Sequence, residues 1–392
     1  MKNKMPEILK SEFVERRRRL AKACEEAGLD GSLVVSQGGK ASSLAGYCIY
    51  LANYYTHWFP GLEDFPPYWN CRGHAAVVLP VRGEAVLVQT MIPSTKRKDL
   101  RIHDDVRADY YINEIQHDYN LIRGIISALR EKGLDHGRIG LMGSQILSMK
   151  HFQEIQLSLP NVEWVPSDNL LIEQMLIKSE AEMNLIRYAC KAINEVSDQA
   201  LNAAQPGVSE VELVSKVDLG LKEWGCELSW MRPNRPARLD RGQIYYMAVC
   251  GHCRGYFFDI SRNKVVGEKP NPKQAEFLAL LNEFVLRQTE EVRAGRTGHE
   301  AAQFGMHYFI DEKKEFTREE FEAGILGTFA SFGHSLGVSW TRPWIRPGDE
   351  TVLRAGMFMA VEAVYSKPGL GLAEAEVNFE VTESGPRILT RL

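Results

Sequence analysis

The 392-residue sequence predicts a two-domain α+β protein, a smaller α/β domain over residues 1–167 followed by a larger domain over residues 168–392. Three observations predict it. The length exceeds one ordinary domain and is comfortable for two. Up to about residue 165, short apolar strand-like runs alternate with single helices. From Asn169 onward, long helical periodicity occurs twice, each time as helix, Gly-containing break, helix and then strands, a weak internal duplication.

Residues 13–27 carry apolar side chains at helical spacing and stop at Gly28. The dense basic run Arg16-Arg17-Arg18-Arg19 lies inside that helix and is expected to form a solvated face. Residues 32–35 follow as a strand. Residues 75–79 and 85–88 read as a hairpin around a polar turn, residues 121–132 as a helix closed by Gly133, and residues 138–141 as a strand. The aromatic, Pro-rich stretches 54–59 and 65–69 are read as a loop, either a lid or a dimer contact, with the dimer contact preferred. In the second half, Ser179 and Glu182 form an S-x-x-E capping box opening a helix that runs to about Ala203. Residues 205–209 break the chain and residues 210–224 resume as helix. The second pair is residues 272–293, a break at 294–298, and a helix from His299. Two such halves are expected to bring two sheets together over a central cleft.

Composition narrows the function. Hydrophobic residues make up 44% and charged residues 25%, a globular balance, and the net charge of −4 argues against a nucleic-acid surface. Residues 1–10 lack the apolar core of a secretory signal, and no run approaches the ~18 apolar residues of a membrane span. Seven scattered cysteines suggest free thiols in a reducing cytoplasm.

Asp259, His334, Glu362 and Glu376 stand at the ends of strand-like runs in apolar surroundings. Taken singly, each acid reads as a salt-bridged structural group. Together, three buried-looking carboxylates call for a cation, and a divalent metal with His334 as fourth ligand supplies one. Gly333-His334-Ser335-Leu336-Gly337 formally fits the G-x-S-x-G elbow, but that fold needs a later His and none follows His334. Cys250-Gly251-His252-Cys253 has no second C-x-x-C and reads as structural thiols, with a Cys250 nucleophile as the alternative.

The order of Gly255-Tyr256, Asp259-Ile260-Ser261-Arg262, Gly333-His334-Ser335-Leu336-Gly337, Leu353-Arg354-Ala355-Gly356-Met357 before Glu362, and Glu376 ahead of Thr382-Glu383-Ser384-Gly385 resembles the creatinase/prolidase/aminopeptidase P superfamily. Ile177-Lys178-Ser179-Glu180 resembles the opening of that family's catalytic domain. The resemblance implies a pita-bread catalytic domain behind a smaller α/β amino-terminal domain, a homodimer, and Asp259, His334, Glu362 and Glu376 as metal ligands. Two-metal members carry a further Asp eleven residues before Asp259, where this chain has Ala248. One ion is therefore expected, manganese, iron, cobalt or zinc, with a metal-free reading as in creatinase left open.

Spacing puts Met231 and Thr341 where the family has two pocket histidines, and Trp230, Trp340 and Trp344 stand beside them. Those tryptophans either fill vacated volume or cage a cationic group. The expected activity is hydrolysis of a C–N bond, amide or amidine, in a small molecule or short peptide. Glu362 and His334 are the catalytic residues, Glu362 passing a proton from water to the leaving nitrogen. Alternatives are a metal-independent creatinase-like hydrolase, a lyase, an Xaa-Pro peptidase, and a non-catalytic binding protein on a degenerate fold.

Overall fold

The computed structural model describes residues 4–37, 46–54, 61–65, 69–90, 110–233, 235, 237–322 and 331–392. The chain divides into two compact units, Ile8–Met175 and Leu176–Leu392, the latter joined by residues preceding Ile8.

In the first unit, α1 (Lys10–Glu26) leads to β1 (Gly31–Ser36), α2 (Gly46–Ala52) and a small two-stranded ribbon of β2 (Gly61–Phe65) and β3 (Trp69–Arg72). Then come β4 (Ala75–Pro80), β5 (Val86–Gln89), β6 (Glu114–His117), α3 (Leu121–Glu131), β7 (His136–Met142), α4 (Met149–Ser158), β8 (Asn161–Pro166) and α5 (Asp168–Leu176). Six strands form one mixed sheet in the order β6-β5-β4-β1-β7-β8. Alternate residues Leu33 and Val35, Ala76 and Val78, Val86 and Val88 share a core with Leu121, Ile125 and Leu129 of α3. This is the period-two face of a sheet meeting the apolar stripe of a helix.

The basic run corrects the expectation of a solvated face. Arg16 and Arg17 are buried, while Arg18 and Arg19 are exposed. Arg16 donates to the carbonyl of Tyr50 (3.1 Å) and Arg17 to that of Leu51 (2.5 Å), both in the last turn of α2. Half of the run is thus a helix cap. The aromatic stretch read as a dimer contact lies outside the described residues at 55–60 and 66–68.

In the second unit, the four long helices open on reciprocal capping boxes. They are α6 (Glu180–Ala203) with Ser179 and Glu182, α7 (Glu210–Glu223) with Ser209 and Glu212, α8 (Pro272–Glu291) with Asn271 and Gln274, and α9 (Gly298–His307) with Thr297 and Glu300. The strands are β9 (Glu227–Arg232), β10 (Ile244–Cys253), β11 (Tyr256–Val265), β12 (Gly333–Ser335), β13 (Thr341–Trp344), β14 (Phe358–Lys367), β15 (Gly371–Thr382) and β16 (Gly385–Ile388). Helix α6 packs on β11, and α8 packs on β14 and β15.

The duplication is visible, but its halves do not make two separate sheets. Among the described residues, the strands join one sheet in the order β13-β12-β14-β15-β11-β10-β9, with β16 on β15. The seam between halves is β11 against β15, with Ser261 opposite Glu376. Next to it the Asn378 side chain stands in for a ladder: its Oδ1 accepts from the Asp259 N–H (3.0 Å) and its amide donates to the Asp259 carbonyl (2.5 Å).

The cysteines correct a second expectation. Cys226, just before β9, is disulfide-bonded to Cys253 at the end of β10 with Cα atoms 4.3 Å apart, while Cys24, Cys48, Cys71, Cys190 and Cys250 are free. The two strands run antiparallel, which brings these distant positions side by side. No helix among the described residues is long and apolar enough to cross a membrane.

Candidate active site

Asp259 lies on β11, His334 on β12, Glu362 on β14 and Glu376 on β15, and the structure brings all four together. They sit inside their strands rather than at the ends, as the sequence had suggested. Strand register explains the convergence. Glu362 is directly opposite Glu376 on β14–β15, and Ser261 is opposite Glu376 on β11–β15. Asp259 shares the face of Ser261, two residues away. Gly333 admits β12 to this group, because a Cβ there would collide with the carbonyl oxygen of Ala360. That close approach sets His334 beside β14.

The side chains line a cavity of about 70 Å³, with Trp230, Trp340 and Trp344 forming walls. His334 Nδ1 lies 3.4 Å from the Ser335 carbonyl oxygen, which can only accept, so Nδ1 carries the proton. Nε2 is then an acceptor, and it faces two more acceptors, Glu362 Oε1 at 3.8 Å and Glu376 Oε1 at 3.9 Å. Burial lowers the imidazole pKa to about 4, so the ring is neutral near pH 7. The walls add aromatic packing: the His334 ring centroid is 5.1 Å from that of Trp340 and 5.5 Å from that of Trp344.

Burial also raises the carboxylates. Asp259 and Glu376 are pushed well above the usual range by desolvation and by neighbouring carboxylates. Glu362 rises to about 8, through desolvation first and the charge of Glu374 second. Asp259 Oδ1 and Glu376 Oε1 are buried without a hydrogen-bond partner, on side chains 3% and 2% exposed. Lone pairs converging on a common space with nothing to donate to them are what a divalent cation satisfies. Ligand atoms of Asp259, His334 and Glu376 lie within 4.8 Å of one another, as do those of Glu362, Glu374 and Glu376. The residues present therefore fit a hard-to-borderline divalent ion.

Two cavity residues escaped the sequence reading. Glu374 is buried two positions before Glu376 and so faces the same way; it accepts from the Ser261 hydroxyl at 2.8 Å. Strand alternation alone would have found it. Arg232 lines the cavity from β9, and its partner by alternation is Trp230.

The substituted positions resolve differently. Ala248 is buried opposite Ser261, so no carboxylate projects from that place on β10. Met231 is buried and does not line the cavity, whereas Trp230 and Arg232 on either side of it do. Thr341 is half-buried at the start of β13, and the tryptophans flanking it are the cavity walls. Cys250 is opposite Asp259. Burial, with the charges of Asp259 and Glu376, pushes its thiol well above its ordinary pKa, which works against a nucleophilic thiolate.

The comparisons identify the family. Residues 184–383 match the model of metallopeptidase family M24, and residues 16–175 match that of the creatinase/prolidase N-terminal domain. The chain is 26% identical over 290 residues to a Xaa-Pro dipeptidase of Pyrococcus horikoshii, covering 70% of this chain and 75% of that one. It is 23% identical over 362 residues to an ectoine hydrolase of Halomonas elongata, covering 83% and 84%. A solved Xaa-Pro dipeptidase from Bacillus anthracis shares the fold at a TM-score of 0.72 with 22% identity, over 97% of this chain and 98% of that one. With its pita-bread unit, its N-terminal unit and its convergent acid–imidazole cluster, the chain belongs to metallopeptidase family M24 and is a C–N bond hydrolase of the creatinase/prolidase/aminopeptidase P superfamily.

Proposed function

We propose that this hydrolase works with a single divalent ion held by Asp259, His334, Glu362 and Glu376, on an amide bond of a short peptide or peptide-like small molecule. One observation carries the reading: three buried carboxyl groups and His334 Nε2 converge on one cavity, where Asp259 Oδ1 and Glu376 Oε1 have no hydrogen-bond partner. Ala248 in place of a further acid supports one ion rather than two. The dipeptidase relatives support a peptide-like substrate. Five free buried thiols against one disulfide support a cytoplasmic location, and the homodimer rests on the family resemblance.

When bound, a divalent ion supplies the electrophile for the scissile carbonyl. The rest is done by side chains. Glu362 takes a proton from the attacking water and delivers it to the leaving nitrogen. Before an ion binds, burial and the charge of Glu374 hold this carboxyl well above the ordinary carboxylate range. His334 stays neutral, its Nδ1–H anchored on the Ser335 carbonyl so that Nε2 points inward. Trp230, Trp340 and Trp344 exclude bulk water from the cavity.

The test is metal content by mass spectrometry on protein purified without chelator, beside Asp259→Ala and Glu362→Gln. One ion per chain, lost in Asp259→Ala, is expected, with amide hydrolysis lowered by 10³-fold or more, roughly, in Glu362→Gln. A chain that takes up no ion from solutions of manganese, iron, cobalt or zinc overturns the metal assignment. Unchanged turnover in Glu362→Gln overturns the role of that residue.

A further inference from the structure

The two halves of the second unit meet at a seam with little backbone ladder. Among the described residues, β11 and β15 register at one pair only, Ser261 opposite Glu376. Two places along each strand, that register sets Asp259 opposite Asn378 in one direction and Asn263 opposite Glu374 in the other. At both places a side-chain carboxamide takes over from the backbone. Asn378 Oδ1 accepts from the Asp259 N–H at 3.0 Å, and its amide donates to the Asp259 carbonyl at 2.5 Å. Asn263 mirrors it from the other strand. Its Oδ1 accepts from the Glu374 N–H at 3.1 Å, and its amide donates to the Glu374 carbonyl at 2.8 Å.

A carboxamide carries the donor and acceptor of a peptide group, so each asparagine satisfies backbone that a ladder would otherwise satisfy. The exchange changes the spacing. Strands joined by a ladder lie about 4.8 Å apart, and a side chain inserted between two backbones holds them wider. Room opens on either side of the Ser261–Glu376 bridge, where the acids of the cavity stand. Each rung grips the backbone of one such acid, Asp259 from β15 and Glu374 from β11.

The two rungs differ in what stands behind them. Asn378 is fully buried, whereas Asn263 is half-buried. The Asn378 N–H donates to the Thr390 hydroxyl at 2.7 Å, and the Asn378 carbonyl accepts from the Leu389 N–H at 2.8 Å. A third asparagine ties that segment to α6. Asn194 donates to the Leu389 carbonyl at 2.9 Å and accepts from the Arg391 N–H at 2.9 Å. Arg391 also reaches Asp198 of α6 at 2.7 Å, and Asp198 receives Arg262, three places beyond Asp259 on β11, at 2.6 Å. The hydrogen bonds thus run in a closed circuit from β11 to β15, through residues 389–391 to α6, and back to β11. A rung inside such a circuit shifts only if several bonds give way together.

We propose that Asn378 is a positioning residue of the metal centre. It fixes the Asp259 backbone, and so the place of the Asp259 carboxylate across the seam from Glu376, while Thr390 and Asn194 hold it to that task. The role rests on the reading of Asp259 as a ligand of the ion. Asn378 does not line the cavity, so it acts through Asp259.

The test is cobalt(II) titration of metal-free protein, followed by the visible absorption of the bound ion, which reports coordination geometry apart from turnover. Asn378→Leu keeps the volume and removes both bonds to Asp259. It is expected to weaken cobalt binding by about 10–100-fold and to shift the absorption band. Asn263→Leu makes the same change at the other rung, whose acid is not among the proposed ligands. It is expected to stay within about threefold of wild type with its band in place. Thr390→Val should lose part of the affinity and Thr390→Ser should recover it, which decides the matter even where Asn378→Leu does not fold. Thermal midpoints of the metal-free variants are measured alongside. A rung that only joins the sheet lowers the midpoint of both asparagine variants and leaves affinity and band unchanged in the folded protein. That result overturns the positioning role, as does an equal loss of affinity in both, or a Thr390→Val chain that binds like wild type. A wild type that takes up no cobalt overturns the metal reading and this role with it. Cobalt binding that depends on Asn378, with no cleavage of any amide, leaves the role standing and overturns the hydrolase reading.

Discussion

Glu374 shows how much one side chain alters the chemistry of its neighbours. Its carboxylate is buried beside Glu362 and is the largest charge raising that group, after desolvation itself. Replacing it by Gln removes the charge and keeps the shape. The pKa of Glu362 then falls, so the base stays ionised to lower pH and the acidic limb of the kcat/KM profile moves to lower pH. A limb that stays in place or moves upward contradicts this. Residue-level chemistry was legible for the four motif residues, because a carboxylate between aromatic and aliphatic neighbours is conspicuous. Glu374 carried no motif, and Arg232 sits on a strand whose pairing no local pattern announces. Arg16 and Arg17 were misread for a similar reason. The partners that bury them are the carbonyls of Tyr50 and Leu51, 34 positions away.

At the scale of the element, the helices are written in local code and the short strands are not. The capping boxes of the four long helices lie within three residues of their own helix start, so Ser179 with Glu182 could be read directly. By contrast β12 is three residues long, and its place depends on Gly333 meeting β14. Gly333→Ala would force a Cβ into the Ala360 carbonyl and push β12 away from β14. We expect a loss of about 1–3 kcal/mol in denaturant unfolding together with loss of bound metal, since His334 moves with the strand. A variant with normal metal content and normal stability would show that the sheet relaxes around the extra methyl group. The one-sheet arrangement was not readable either, because nothing local to β11 or β15 states that they pair.

For the whole molecule, the buried carboxylates impose a cost on the metal-free state that depends on pH. Glu362 titrates at about 8 when folded against an ordinary value of 4.5, and Asp259 and Glu376 shift in the same direction. A raised folded pKa means that the native state holds protons the unfolded chain has released. Stability is therefore fully present below about pH 4.5 as far as these groups are concerned, and is lost as pH rises toward 8. The thermal midpoint of metal-free protein should fall across that window, and saturating divalent ion should flatten the slope. Equal slopes with and without metal would mean that the carboxylates are not the groups responsible.

The seam between β11 and β15 has a further consequence. Asp259 and Asn378 lie 119 positions apart, yet they are the neighbours across which the two sheet halves are stitched. In the proposed site, an ion gripped by Asp259 on one side and by Glu362 and Glu376 on the other would act as a removable staple. It closes a long excursion of the chain much as a cross-link would and withdraws conformational freedom from the unfolded ensemble. Cofactor loading and the mechanical integrity of the catalytic unit are then one property, and the backbone amide of Asp259 is the place where its loosening would first admit solvent exchange.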